Sequence, residues 1–325
     1  MYEQNPGQWQ VTIPDVKSVL TLTVDIENYK EACEWAADRH SIWYQKEVLK
    51  SPRPWTMDPI LDKWKFINVY RKLDAGTKYI LEYFDTNPDP LSRFANILRY
   101  RLFNNRHAHK ATGGFHKYHE FDYDKWYKIL RDRWTSDERV LCQAHNTCTY
   151  SGFPGSDKVE RVCLVAKAAW AKAPEKLSEI ENGLKLGLEI QDVFEIVKNI
   201  RGYGPFLAYE VTLDLSYVYP EISCMNWANT GPGASRGLAY IFKGYQKKHE
   251  MELLKVLRHN LALGYELIGD KAFSKATMNM LLIESDTPGE IDLRMPESMM
   301  CEYQKYKKLK TGTGRSFGGT YKGII

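Results

Sequence analysis

The segment Gly231-Pro232-Gly233-Ala234-Ser235-Arg236-Gly237 sets two glycines around a proline where a helix is expected to start. Glycine leaves backbone N–H groups uncovered, Ser235 is a capping residue, and the Arg236 guanidinium can fork onto phosphate oxygens. The stretch therefore reads as an anion receptor or as a capped helix start. A second glycine pair, Gly202 and Gly204 around Tyr203, falls between two predicted helices, with Pro205 placed where its fixed φ suits a first helical turn. This is the pattern of a helix-hairpin-helix unit, which grips a DNA backbone through main-chain amides without reading bases; a plain helix connection shares it. Lys198 adds a cation just before the turn.

Carboxylates recur in three places. Asp74 follows Arg71 by three residues, with Asn68 and Tyr70 close by, either as a local salt bridge of small worth or as a device that aims Arg71 at a phosphate or carboxylate. Asp214 follows Glu210 by four residues on one predicted helix, where like charges repel by about 0.2–0.5 kcal/mol and burial raises one pKa toward that of a general base. Two solvated acids near Lys198 are the alternative reading. Glu302 and Lys305 stand three apart on another predicted helix as an ion pair.

Metal chemistry finds little support. Cys142-x-x-His145-x-x-Cys148, with His107, His109, His116 and His119 upstream, carries ligand-type residues without the paired CxxC or HxxxH halves of a structural zinc site. The four-cysteine spacing of a glycosylase-type iron–sulfur cluster is absent as well. No metal and no cofactor are expected. Neither the segment 231–237 nor the glycine-rich run 312–319 supplies the Lys-Ser or Lys-Thr of a P-loop, which argues against an ATP-hydrolysing kinase.

The elements that must position these groups are mostly helical. The chain has 325 residues, 43% hydrophobic and 26% charged, enough for a substantial core. With 45 Lys and Arg against 41 Asp and Glu, the net charge of +4 excludes a polybasic protein. Residues 9–24 read as one or two short strands. Apolar periodicity then predicts helices over 26–50, 62–83, 90–104, 123–134, 158–171, 174–186, 190–200, 205–217, 235–260 and 296–309, the stripe Phe66, Val69, Tyr70 and Leu73 being the clearest. No breaker is long enough for a flexible linker. The expected organisation is a 1–55 extension with short strands and a helix, a 56–310 helical domain and a basic, glycine-rich 311–325 tail. The start lacks the order of a secretory signal and no apolar run reaches about 18 residues, so a soluble, intracellular protein with no membrane partner is expected.

Four segments in this order, FINVYRKLDAGTKYI (66–80), NIRGYGPFLAYEVTLDLSY (199–217), NTGPGASRGL (229–238) and ESMMCEYQKY (297–306), resemble the amino acid:DNA transferases of bacteriophages. That family, formerly known as the α-glutamyl/putrescinyl-thymine pyrophosphorylases, shares a DNA-glycosylase-like helical fold with the helical domain of 5-hydroxymethyluracil DNA kinases. The resemblance covers about residues 60 to 310. It implies thymidine hypermodification in the cytoplasm of an infected host: an amino acid or amine displaces phosphate or pyrophosphate from the methylene of phosphorylated 5-hydroxymethyluracil. The partners implied are double-stranded phage DNA, a free amino acid or amine, and a phage DNA kinase.

Such an enzyme needs a DNA grip, a pocket for a flipped base, a phosphate cradle and a base for the ammonium. On that reading Gly202, Tyr203, Gly204 and Lys198 hold DNA, and Gly231, Gly233, Ser235 and Arg236 receive the leaving group. Arg71 assists, and Asp74 or Asp214 deprotonates the amine. Tyr70, Tyr209 or Trp227 stacks on the base, with Asn68, Asn226, Glu302 and Lys305 completing the base or amino-acid pocket. Met225, Asn226 and Trp227 stand where helix-hairpin-helix glycosylases carry their catalytic Asp, and an Asn cannot stabilise an oxocarbenium ion, so base excision is the weaker alternative. A non-catalytic DNA-binding or kinase-associated module is the other.

Overall fold

Aspartate and asparagine side chains start many of the helices, accepting the amides that a helix leaves without partners. Asp58 takes the N–H groups of Ile60 and Leu61 at 2.7 and 2.9 Å, Asp122 that of Lys125 at 3.0 Å, and Asp157 that of Glu160 at 2.9 Å. The structure, a computed structural model, describes residues 4–5, 8–13, 18–142, 152–263, 282, 285–286 and 290–313. His145, Cys148 and the tail beyond residue 313 lie outside them.

In chain order the described elements are β1 (Gln4–Asn5), β2 (Gln8–Ile13), β3 (Ser18–Val24), α1 (Ile26–Trp43), α2 (Pro59–Lys63), α3 (Ala75–Thr86), α4 (Pro90–Phe103), α5 (Arg106–Ala111) and α6 (Tyr123–Thr135). Then follow α7 (Lys158–Lys185), α8 (Ile190–Lys198), α9 (Pro205–Leu215), α10 (Pro232–Ile241), β4 (Phe242–Lys243), α11 (Glu250–Leu263) and α12 (Arg294–Lys310). The fold is mostly α, as expected. No described helix is long and apolar enough to cross a membrane.

The chain divides into two compact units, residues 1–74 with 225–325, and residues 75–224. This division does not follow the expected boundary at residue 55. The reason lies in the sheet, ordered β1-β2-β3-β4 and antiparallel throughout, in which Val24 of the N-terminal strands pairs with Phe242. The first strands are thus part of the unit that the C-terminal third builds.

In the first unit α10 lies across α12 with the backbones nearly touching. A Cβ on Gly233 would stand 2.6 Å from Cys301 Sγ, and one on Gly237 would stand 2.2 Å from the Met300 carbonyl oxygen. Phenols then tie α12 to its other neighbours: Tyr303 donates to Glu31 of α1 at 2.6 Å and Tyr306 to Asp58, the cap of α2, at 2.7 Å. In the second unit α7 runs through Pro174, where a break is expected from the sequence. Proline removes the N–H that would bond the Trp170 carbonyl, and the Tyr118 hydroxyl supplies the substitute donor at 3.2 Å.

Two predicted helices are also divided. The 62–83 stretch is α2, a non-helical passage with a 3-10 turn at Arg71–Leu73, and α3. Asn68 and Asp74 bond each other and local backbone there, which competes with the helix. The 235–260 stretch breaks at β4 and at Gly244, whose φ of +78° suits glycine.

If the α10–α12 crossing depends on glycine, Gly237→Ala costs about 3 kcal/mol or more in urea denaturation, because the clash is with backbone. Gly231→Ala, with nothing within 4 Å of the added Cβ, costs no more than about 1 kcal/mol, the loss of a favourable N-cap residue. Equal costs at the two positions would refute this account of the crossing.

Candidate functional site

Within the first unit, the strand-like passage before α3 brings two carboxylates to consecutive amides. The Ile67 N–H donates to Glu302 of α12 at 3.3 Å, and the Asn68 N–H donates to Asp74 at 3.0 Å. The Asn68 side-chain amide gives Asp74 a second bond at 3.0 Å, while its own carbonyl oxygen accepts from Arg39 at 2.7 Å. Both bonds fall on Asp74 Oδ1, and Oδ2 has no bond from a described residue. Burial pushes the Asp74 carboxyl up to about 6, although the Asn68 amide and the charges of Arg39 and Arg71 pull the other way. A carboxyl with that affinity is suited to proton transfer near neutrality.

Glu302 is 2% exposed and pairs with Lys305 one turn on. Burial acts against the Lys305 ammonium, but Glu302 and other nearby groups hold it above its usual range. Arg71 opens the 3-10 turn before α3, and its backbone and that of Lys72 donate to the two oxygens of Asp286 at 3.0 and 2.9 Å. Tyr70, expected as a stacking ring, is instead a core residue, 1% exposed and edge-on to His40 at 5.3 Å.

The start of α10 belongs to the same unit. Gly231 is its N-cap, Pro232 follows, and no side chain caps the first amides. The N–H groups of Gly233 and Ala234 have no intramolecular acceptor among the described residues, and Arg236, just past the first turn, is exposed. An open helix start with an exposed guanidinium is suited to an anion. Two residues qualify this. Gly233 also serves the crossing with Cys301, and the Ser235 hydroxyl donates to Glu250 rather than standing free. Glu250, 5% exposed, accepts from Thr230 and Tyr245 as well. Nothing in the sequence singles out Glu250, since an acid at the head of α11 reads as ordinary dipole compensation. Asn226, exposed, and Trp227, half-buried, lie on the loop that leads into α10.

The glycine hairpin belongs to the second unit. α8 and α9 are joined by a turn in which Gly202 has a φ of +98° and a Cβ would stand 2.4 Å from Val165 Cγ1, so both conformation and packing demand glycine. Gly204 caps α9 with no side-chain bond, and the amides of Gly202 and Gly204 have no acceptor among the described residues. Tyr203 points inward, its hydroxyl on the Leu98 carbonyl at 2.7 Å, so its ring is not offered to DNA. Lys198 pairs with Glu195 at 2.8 Å.

Asp214 also departs from expectation. Its two oxygens accept from Arg101 Nε and Nη2 at 2.6 Å each, the side chain is 0% exposed, and Glu210 lies 3.5 Å from the same guanidinium. The sequence shows two repelling acids; the structure supplies the cation between them from α4. This is a structural ion pair rather than a general base. Tyr209 on the same helix is 5% exposed, too buried to stack on a base. Among the described residues no group of three or more His, Cys, Asp or Glu is placed to hold a metal ion.

The chain matches the family described as "5-hmdU DNA kinase, helical domain" over residues 27–316, and it belongs to that family. A curated relative, the 5-hmdU DNA kinase of Bacillus phage SP10, is 27% identical over 290 residues, which are 83% of this chain and 43% of that protein. The chain thus spans less than half the length of that relative. No solved structure matches it.

The two acids, Asp74 and Asp214, respond differently to perturbation. Because the folded Asp74 holds its proton up to about 6, it weakens the fold progressively as pH rises from the unfolded value of 3.8 through 6. The advantage of Asp74→Asn over wild type in urea denaturation therefore grows by roughly 2–3 kcal/mol from pH 3 to 7; a pH-independent difference contradicts the assignment. Asp214→Ala strands a buried guanidinium and costs about 3–5 kcal/mol, whereas the double variant Arg101→Met with Asp214→Leu recovers most of it. Equal instability of single and double variants would count against a purely structural pair.

Proposed function

We propose that this member of the 5-hmdU DNA kinase helical-domain family acts in phage hydroxymethyluracil modification, and that it transfers an amino acid or amine onto phosphorylated 5-hydroxymethyluracil in DNA. The observation that carries the reading is Asp74: a carboxyl raised to about 6, fixed through one oxygen, on the passage that also bonds Glu302. An incoming amine reacts through its lone pair and must shed a proton as the C–N bond forms. Asp74 Oδ2 takes that proton. The C–O bond to the nucleobase methylene breaks at the same centre, and phosphate or pyrophosphate departs with the electron pair.

The departing anion is received by the Gly233 and Ala234 amides and by Arg236, with Arg71 assisting, and Ser235 is held in place by Glu250. Asn68, Glu302 and Lys305 orient the amine or its carboxylate, and Trp227 is the remaining candidate for stacking on an everted base. In the second unit, the α8–α9 turn is a helix-hairpin-helix grip on the DNA backbone, working through the amides of Gly202 and Gly204. The whole fold is of the DNA-glycosylase-like kind, and the substrate is double-stranded DNA already phosphorylated by a kinase.

A second reading, a non-catalytic DNA-binding module that serves a kinase, draws on the likeness to the 5-hmdU DNA kinase of Bacillus phage SP10. Nucleoside mass spectrometry separates the two. After incubation of the chain with phosphorylated hydroxymethyluracil DNA and a mixture of amino acids and polyamines, transfer adds the mass of one amine to the base and releases phosphate. Asp74→Asn lowers that rate by about 10²–10⁴-fold and Arg236→Ala lowers it further for the pyrophosphorylated substrate. An unchanged base with DNA retained selects the module, and an abasic site selects excision.

A further inference from the structure

Arg39, on α1 of the first unit, is 6% exposed, and its hydrogen bonds to described residues all go to neutral oxygens. Nε and Nη2 donate to the Phe66 carbonyl at 3.3 and 3.1 Å, and Nη2 also donates to Asn68 Oδ1 at 2.7 Å. The planar fork thereby pins Phe66 and Asn68 together, a geometry that the single nitrogen of a lysine does not reproduce. A buried guanidinium held by neutral acceptors is costly unless it acts on an opposite charge. The charge it acts on is Asp74, one amide away.

The bond from Arg39 decides which way round the Asn68 amide lies. With Oδ1 facing the guanidinium, Nδ2 gives its two protons to the Leu73 carbonyl at 2.9 Å and to Asp74 Oδ1 at 3.0 Å. Turned over, the amide would set Nδ2 against the guanidinium and its oxygen against both a carbonyl and a carboxylate, replacing each of these bonds by a repulsion. That orientation in turn fixes Asp74. Oδ1 takes the main-chain and side-chain N–H groups of Asn68, each at 3.0 Å, and these occupy its lone pairs. Proton exchange is then left to Oδ2. Of the other charged groups beside this passage, Arg71 also acts on Asp74, and Glu302 of α12 is engaged by Lys305 and the Ile67 amide.

We propose that Arg39 is a positioning residue for Asp74: by holding the Asn68 amide in one orientation it commits Oδ1 and reserves Oδ2 for the proton of the incoming amine. The amine as the source of that proton rests on the transferase reading, whereas the arrangement that receives it stands on the hydrogen bonds alone.

The test uses the full chain with ¹³C-labelled aspartate carboxyls, titrated by NMR, the Asp74 signal being the one lost in Asp74→Asn. In Arg39→Met the Asp74 midpoint lies about one pH unit higher than in wild type, because an opposite charge and an aligned donor are gone. Amine transfer to phosphorylated hydroxymethyluracil DNA then falls roughly fivefold at about pH 6 and recovers by about pH 9, since the base is protonated more often rather than lost. An unmoved midpoint in folded Arg39→Met, or a loss of rate equal at every pH, overturns the proposal. Should Arg39→Met fail to fold, the wild type decides: the ¹⁵N signals of Asn68 Nδ2 and Arg39 Nε follow the Asp74 midpoint, and signals indifferent to it overturn the proposal. A wild type that transfers no amine ends the transferase reading alone, and the titration still decides whether Arg39 positions Asp74.

Discussion

The close approach of α10 to α12 is the constraint on which the candidate site depends. Two glycines, one turn apart on α10, admit the backbone of Met300 and the thiol of Cys301 where any side chain would collide. The crossing brings the uncapped start of α10 beside the stretch of α12 that carries Glu302 and Lys305. Glu302 in turn reaches back to the Ile67 amide, whose neighbour Asn68 holds Asp74. Segments more than 150 positions apart in the sequence are thus linked, first by close backbone packing and then by the Glu302 carboxylate on the Ile67 amide.

Electrostatics then differentiates groups of the same chemical kind. Asp214, Glu302 and Glu250 are all buried carboxylates, but each is occupied: by Arg101, by Lys305 and the Ile67 amide, and by three hydroxyls. Asp74 receives neutral amides on one oxygen and keeps a proton to higher pH. The cations divide in the same way, with Lys305 and Arg101 committed to internal partners while Arg236 is exposed. The function proposed above assigns proton transfer and anion capture to the less committed members.

Local signals in the sequence carried well. The helical periodicity, the Gly-Pro starts of α9 and α10, and the Glu302–Lys305 pair are set by residues close together, and spacing reveals them. What depended on distant partners, or on side chains that compete locally with a helix, did not. The Phe66–Leu73 stripe mimics a helix, but its apolar residues are buried from a non-helical passage whose conformation Asn68 and Asp74 dictate. Asp214 resembles a base until Arg101, 113 positions away in the chain, is seen beside it. Pro174 reads as a helix end because the hydroxyl that replaces its missing donor belongs to Tyr118, 52 positions from Trp170.

The pairing of Val24 with Phe242 has a consequence for biosynthesis. On the ribosome the N-terminal strands and α1 emerge first, yet the partners that cover them are translated only after the whole of the intervening unit. That intervening unit is continuous in the chain and can complete its own core while translation proceeds. The leading segment must wait, with its apolar face uncovered, until α12 has cleared the exit tunnel. Vectorial synthesis therefore inverts the order of these two units, and the one bearing Asp74 matures after the 75–224 unit.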